Sequence, residues 1–323
     1  MTRSTPIAAP AADDPPAAPV SPVESRARRR SRRVTAHPVA GMLFVLPFFL
    51  VVVAFLVVPL GYAFWLSLSS KSLALGTRFS GIDNYVRAFT DPLLLDGLLR
   101  VVLFGLVQIP VMLGIALAGA LVLDAVTTKF ALAFRLIAFM PYAVPAVVGA
   151  LMWGFLYSRT FGPFADLPTL VGGDPIDFFS VSLLLVSLGN IVTWAWTGYN
   201  MIILYSALQG VPREMYEAAM IDGATPVQIA LRVKVPAIKQ AISLAAIFTV
   251  IGTMQFFTEP QIMARFAPQI SAGYTPNLYA YNQAFAYSDF HYSAALSFAL
   301  GFLVFVVAYA FVFVNNRRRG KRA

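Results

Sequence analysis

Polar side chains are scarce inside the long apolar stretches of this sequence, and those that occur are spaced for binding rather than for covalent work. Asn190, Trp194 and Thr197 fall on one helical face, Trp196, Tyr199 and Asn200 lie near another, and Gln255 and Glu259 are i, i+4 neighbours. Amides and carboxylates hydrogen-bond hydroxyls, and aromatic faces pack against C–H surfaces, so the set suits a sugar-like ligand. Such groups are expensive facing lipid and are expected to point inward. Asn190, Trp194, Asn200, Gln255 and Glu259 are therefore the candidate substrate-path residues. The competing reading is that Trp and Tyr form interfacial belts, as expected for Trp65, Trp153 and Tyr157 near the ends of apolar runs, while amides merely bond helices together. Glu259 has a third option, capping a loop just outside the membrane.

Covalent chemistry has little to work with. The chain has no cysteine, which excludes disulfides, thiol catalysis and cysteine-ligated metals. Its two histidines, His37 and His291, are far apart, so neither a metal site nor a catalytic histidine is expected. No G-x-x-x-x-G-K-[ST] phosphate loop occurs, so ATP hydrolysis belongs on another polypeptide and no cofactor is expected on this one.

One polar island interrupts the apolar runs, residues 212–240, P-R-E-M-Y-E-A-A-M-I-D-G-A-T-P-V-Q-I-A-L-R-V-K-V-P-A-I-K-Q. Pro212 suits a first helical position and Gly223 a left-handed stop, which predicts a short helix from Pro212 to Asp222. Thr225, Pro226 and Gln228 form a capping box for a second helix, expected to run until Pro236. Two short helices at an angle, with Ala218 and Ala219 permitting close approach and Glu217 exposed, could dock a soluble partner. They could equally be an amphipathic pair resting on the membrane surface.

The elements around this island are set by composition. Of 323 residues, 59% are hydrophobic and 12% charged, and the mean hydropathy is +0.73, which points to a polytopic membrane protein. Six charge-free apolar runs, near 41–69, 101–123, 136–157, 181–208, 241–258 and 293–314, can each cover the hydrocarbon core of about 30 Å, the fifth only just. Six spans put both termini on one side. The N-terminal tail, the loop around Lys129 and Arg135, the polar island and the C-terminal tail together hold 18 of the 24 Lys and Arg, so these segments are expected in the cytoplasm. Net charge +9 thus reflects a membrane pattern rather than nucleic-acid binding. Residues 1–36, rich in Ala, Pro and Arg, read as a disordered basic tail, 37–316 as the membrane domain and 317–323 as a basic C-terminal tail. Prolines 47, 59, 110, 141 and 145 predict kinks, and the outward segments 70–96, 158–180 and 264–290 are too short to be domains.

Glu217-Ala218-Ala219, three residues, Gly223, nine residues, then Val233-Lys234-Val235-Pro236 resembles the EAA loop of ABC importer permeases, with Val replacing the usual Ile and Leu. Tyr216 to Ala224 is similar to the form found in carbohydrate importers. Leu278 to Phe285, His291 to Ser297 and Phe79 to Tyr85 extend the resemblance to permeases of the maltose and glycerol-phosphate type, from about residue 40 to the end. The maltose-type prototype has extra N-terminal helices and a large outer domain, so this chain resembles the simpler six-helix member.

The resemblance implies an all-α polytopic membrane protein of a bacterial plasma membrane, with six transmembrane helices and a cytoplasmic two-helix coupling loop between helices 4 and 5. It implies that Tyr216, Glu217, Ala218, Ala219, Asp222, Gly223 and Pro236 couple to an ATPase. It further implies a second related permease, two copies of the ATPase carrying ATP and Mg, and an extracytoplasmic sugar-binding protein. Importers of amino acids, peptides or phosphate share the loop, and an ion-driven carrier or membrane scaffold is the reading from another class. The Ile221-Asp222-Gly223-Ala224 variant and the Tyr279 to Ser297 region argue against the former; a single intramembrane acid argues against a carrier.

Overall fold

Backbone groups in hydrocarbon can be satisfied only within helices or closed barrels, so charge-free runs of this length have one economical solution here. The computed structural model describes residues 38–72, 76–125 and 130–320. The expected disordered tail, Lys129 and residues 321–323 of the C-terminal tail lie outside the described residues. The chain divides into two units, Met1–Phe55 and Leu56–Ala323. In the first, the described helix α1 (Pro38–Val52) carries Pro47 and exposes its apolar side chains from Met42 to Val51.

The second unit begins with α2 (Val58–Ser67), with Pro59 in its first turn after a π-turn at Val53–Val57. A short hairpin follows, β1 (Ser69–Ser72) with β2 (Gly76–Phe79), antiparallel with Ser69 opposite Phe79. Sequence reading had not anticipated these strands. The Phe79 to Tyr85 string then acts as a clip. The Asn84 amide donates to the Ser67 and Ser69 carbonyls at 3.0 and 2.8 Å, and the Tyr85 hydroxyl meets Ser67 Oγ at 2.8 Å. Helices α3 (Asp83–Thr90), α4 (Pro92–Ala125), α5 (Phe130–Ala143), α6 (Ala146–Leu156) and α7 (Leu184–Leu208) come next. Beyond them lie α8 (Glu214–Ile221), α9 (Pro226–Ile229), α10 (Val235–Ala237), α11 (Lys239–Met254), α12 (Thr258–Met263), α13 (Pro276–Phe285) and α14 (Phe290–Gly320).

Among the described residues, Met42–Ser67, Pro92–Ala125, Lys239–Met263 and Phe290–Phe313 are long and apolar enough to cross a membrane. The third expected run departs from a simple kinked span: it is a pair, Leu132–Ala143 and Ala146–Leu156, bent by 95°. Pro141 and Pro145 explain the bend, since a residue before proline is driven out of the helical region and Val144 precedes Pro145. The fourth run forms α7, whose 25 residues suffice in length, but its amides and hydroxyls keep it out of the apolar set.

Helices α4 and α7 form the spine. One core cluster packs Leu184, Leu188 and Ile191 of α7 against Phe104, Phe256 and Met263; another packs Met201, Leu204 and Leu208 against Ala116, Ala120 and Leu123. Gly198 lets α7 meet α5, for a Cβ there would stand 1.8 Å from the Ala138 carbonyl oxygen. Small residues serve this purpose where helices pack in membranes.

A third cluster ties α3 and the start of α4 to α13 and α14 through Ala88, Leu94, Tyr279, Tyr292 and Leu296. At its edge Asp91 accepts from the Tyr279 and Tyr292 hydroxyls at 2.6 and 2.8 Å. Arg87 lies 3.7 Å over the Tyr292 ring and pairs with Asp289 at 3.1 Å. Burial alone would favour a neutral Asp91, but these hydroxyls and the Leu93 and Leu94 N–H groups outweigh it and hold its pKa below the usual value. Burial, reinforced by Asp91, pushes the Tyr279 phenol up to about 12.

Candidate functional site

Two regions of the second unit hold the residues singled out from sequence. The first is the polar island. Glycine at a left-handed position ends a helix without steric cost, and Gly223 does so at φ +80°. The Ala224 N–H donates to the Ala219 carbonyl and the Gly223 N–H to that of Met220, both at 3.0 Å, which is the Schellman closure. The expected capping box follows, with Gln228 N–H on Thr225 Oγ1 at 3.3 Å and Thr225 N–H on Gln228 Oε1 at 2.8 Å. Two boundaries differ from expectation. Pro212 precedes the first helix, which starts at Glu214 because Pro212 and Arg213 close a turn onto Met215 and Tyr216. The second helix widens into a π-turn at Ala230–Lys234 before Pro236, whose missing N–H and ring disfavour the regular i−4 bond.

Glu217, Ala218 and Asp222 are exposed and Ala219 is half-buried, while Ile221, Val227 and Leu231 present apolar side chains outward. The loop is fastened from behind. Lys234 forms an ion pair with Asp124 at the end of α4, with side chains only 14% and 9% exposed. Gln209 at the end of α7 donates to the other Asp124 oxygen at 2.8 Å, and the Lys234 ammonium sits 4.7 Å over the Tyr216 ring. Sequence reading missed Asp124 and Gln209. Their only signal was a lone acid at the end of an apolar run, 110 residues from Lys234. These groups line a polar cavity of about 550 Å³ together with Arg213, Glu217 and Met220. Burial, and secondarily Asp124, raises the Tyr216 phenol above its usual pKa. Its hydroxyl is buried with no hydrogen-bond partner among the described residues.

The second region lies where two helices break. The chain between α5 and α6 turns at Val144 and Pro145, and α11 ends before Gln255, three residues short of α12. The Met254 carbonyl freed by the second break accepts from the Asn277 amide at 3.0 Å. Non-helical backbone at membrane depth is tolerated where protein or a cavity surrounds it, and discontinuous helices commonly border transport sites.

Asn200, Gln255 and Glu259 share a cavity of about 240 Å³ with Trp196, Tyr199 and Thr253. A neighbouring cavity of about 350 Å³ is lined by Tyr142, Trp194, Trp196 and Glu259, so Glu259 and Trp196 border both. Asn200 donates to the Trp196 carbonyl at 3.1 Å. Asn190 does not join them. It donates to the Tyr157 hydroxyl at 2.7 Å and lines a separate apolar cavity of about 380 Å³ with Trp153 and Phe178. Trp153 and Tyr157, expected in an interfacial belt, thus pack against each other at 5.2 Å beside Asn190. Tyr142 was missed. It stacks on Tyr199 at 4.7 Å and meets Trp196 edge-on at 5.3 Å, a partnership across the bend that no local spacing reveals. Gln108, also missed, donates to Thr193 at 2.6 Å and ties α4 to α7.

Residues 110–320 match the family model described as binding-protein-dependent transport system inner membrane component. The lactose transport system permease protein LacF of Rhizobium radiobacter is 30% identical over 90% of this chain and 98% of its own length. The diacetylchitobiose uptake system permease protein NgcF of Streptomyces coelicolor is 29% identical over 93% and 88%. Among solved structures, a bacterial ABC transporter involved in the import of the acidic polysaccharide alginate has a chain of the same fold. Its TM-score is 0.75 and its identity 17%, covering 87% of this chain and 95% of that one.

Proposed function

This chain belongs to the family of binding-protein-dependent transport system inner membrane components, and from that premise we propose that it is a permease subunit of an ATP-driven sugar importer. It forms half of a translocation pore with a second, related permease, receives sugar from an extracytoplasmic binding protein and rests on two copies of an ATPase that carry ATP and Mg. The curated names of its relatives, which include lactose and diacetylchitobiose permeases, favour sugar as the cargo. The observation that carries the reading is the cavity of about 240 Å³ between α7 and the break of α11, where Asn200, Gln255 and Glu259 meet the rings of Trp196 and Tyr199. Hydrogen-bonding groups beside aromatic faces suit a polyhydroxylated solute.

Trp194 and Asn200 border the two neighbouring cavities at the breaks, which suits successive stations of one path, while Asn190 stands apart with Tyr157. Asn200→Ala in the complete importer should raise the sugar concentration for half-maximal uptake roughly fivefold, the equivalent of about 1 kcal/mol for a neutral hydrogen bond. Unchanged uptake at normal subunit levels would remove Asn200 from the path.

The exposed face of α8 and α9 docks on the ATPase, with Tyr216, Glu217, Ala218, Ala219, Asp222, Gly223 and Pro236 shaping it. A Cβ at Gly223 meets nothing within 4 Å, so a side chain there acts through its φ rather than through a clash. Gly223→Val should cost about 1 kcal/mol or more in turn strain and misdirect α9, and Glu217→Lys reverses one exposed charge. Sugar-stimulated ATP hydrolysis and uptake should fall together in both variants, with the chain still present in the complex. Normal coupling in both would sink the docking role.

Six spans place both termini and the polar island in the cytoplasm, with α7 as the polar pore-side span and the bent α5–α6 pair as one crossing. Because the chain has no cysteine, a single Gln228→Cys gives a clean test. It should react with an impermeant thiol reagent only after the membrane is opened, and labelling in intact cells would refute this orientation.

A further inference from the structure

We propose that Glu259 makes the path selective by charge, admitting uncharged polyhydroxylated solutes and turning away those that carry a carboxylate. This rests on the reading of the cavity as the solute path. Glu259 borders both cavities at the breaks, and the residues lining them include no Lys, Arg, His or Asp to offset it. The remaining polar groups, such as Asn200, Gln255, Thr253 and the Tyr199 hydroxyl, are neutral hydrogen-bonding partners. A carboxylate between low-dielectric walls acts on a passing anion far more strongly than in bulk water. A sugar hydroxyl, by contrast, donates to it, and that charge-assisted bond is stronger than a neutral one. One side chain therefore attracts hydroxyls and rejects acids.

A test independent of the binding protein uses the absence of cysteine from the chain. A Cβ at Gly252, which lines the first cavity, meets no atom within 4 Å, so Gly252→Cys places a thiol there with room for it. In the complete importer, modification of this chain by a cationic and an anionic methanethiosulfonate is timed, each rate referred to that of a free small thiol. The cation-to-anion ratio should exceed the free-thiol ratio at least tenfold and fall towards it as added salt screens the carboxylate. Glu259→Gln should abolish the preference and Glu259→Asp should keep it. The salt series needs no second substitution, so it answers even where Glu259→Gln fails to assemble. A ratio indifferent to salt and to Glu259→Gln, with sugar still slowing modification, would overturn the charge filter while leaving the path reading in place. If neither reagent reaches the thiol and sugar has no effect, the path reading falls and the filter with it.

Discussion

Asp124→Asn should destabilise the assembled permease by about 3–5 kcal/mol, because it leaves the buried Lys234 ammonium without its counter-charge. The pair joins the loop that precedes Pro236 to the end of α4, with Gln209 fixing the second carboxylate oxygen from the end of α7. Lys234→Met should cost a similar amount, since it strands the carboxylate instead. Replacing both, Asp124→Leu with Lys234→Met, should recover most of the stability, for a buried pair exchanged for apolar groups of similar volume is often neutral or better. Thermal unfolding of the detergent-purified complex gives the stability side of this cycle, and sugar-stimulated ATP hydrolysis gives the functional side. If the ion pair fastens the loop, the double variant is stable yet couples poorly. Single variants as stable as the parent would show that the pair contributes nothing.

Gly198→Val is expected to be the most damaging single substitution in the helical spine. Any side chain at this position meets the Ala138 carbonyl oxygen at 1.8 Å and its carbon at 2.6 Å, both backbone atoms that cannot rotate away. Overpacking of this kind costs about 1–3 kcal/mol when the neighbours can yield. Here α5 must move bodily, and with it Tyr142, which stacks on Tyr199. Gly198→Ala should therefore already lower the melting temperature and weaken sugar binding, and Gly198→Val should prevent assembly. Gly114→Ala and Gly301→Ala are the controls, since a Cβ at either meets nothing within 4 Å and alanine is the better helix former. Equal tolerance at all three positions would remove the close approach from the account.

Residues acting within a few positions of one another were legible from sequence. Gly223 adopts its left-handed turn and Thr225 with Gln228 forms its capping box because both depend on backbone geometry over three to five residues. The helical character of the apolar runs was legible for a similar reason, as hydrocarbon leaves the backbone no other local solution. Even the severe bend after Ala143 had a local signal in Pro141 and Pro145, although their spacing does not say whether a span kinks or breaks. The strands beside Phe79 had none, since they depend on Asn84 reaching back to Ser67 and Ser69.

What tertiary structure alone decided is which polar groups meet. Asn190, Trp194 and Thr197 were grouped by helical spacing, yet Asn190 turns to Tyr157 while Asn200 shares a cavity with Gln255 and Glu259 from another helix. Tyr142, next to last in α5, reaches Trp196 and Tyr199 of α7 from a distant part of the sequence. Asp124 finds Lys234 across 110 residues. Periodicity specifies the face of a helix that a residue occupies, but the partner on that face is set by how closely two backbones approach, and at α5 and α7 that distance depends on the absent side chain of Gly198.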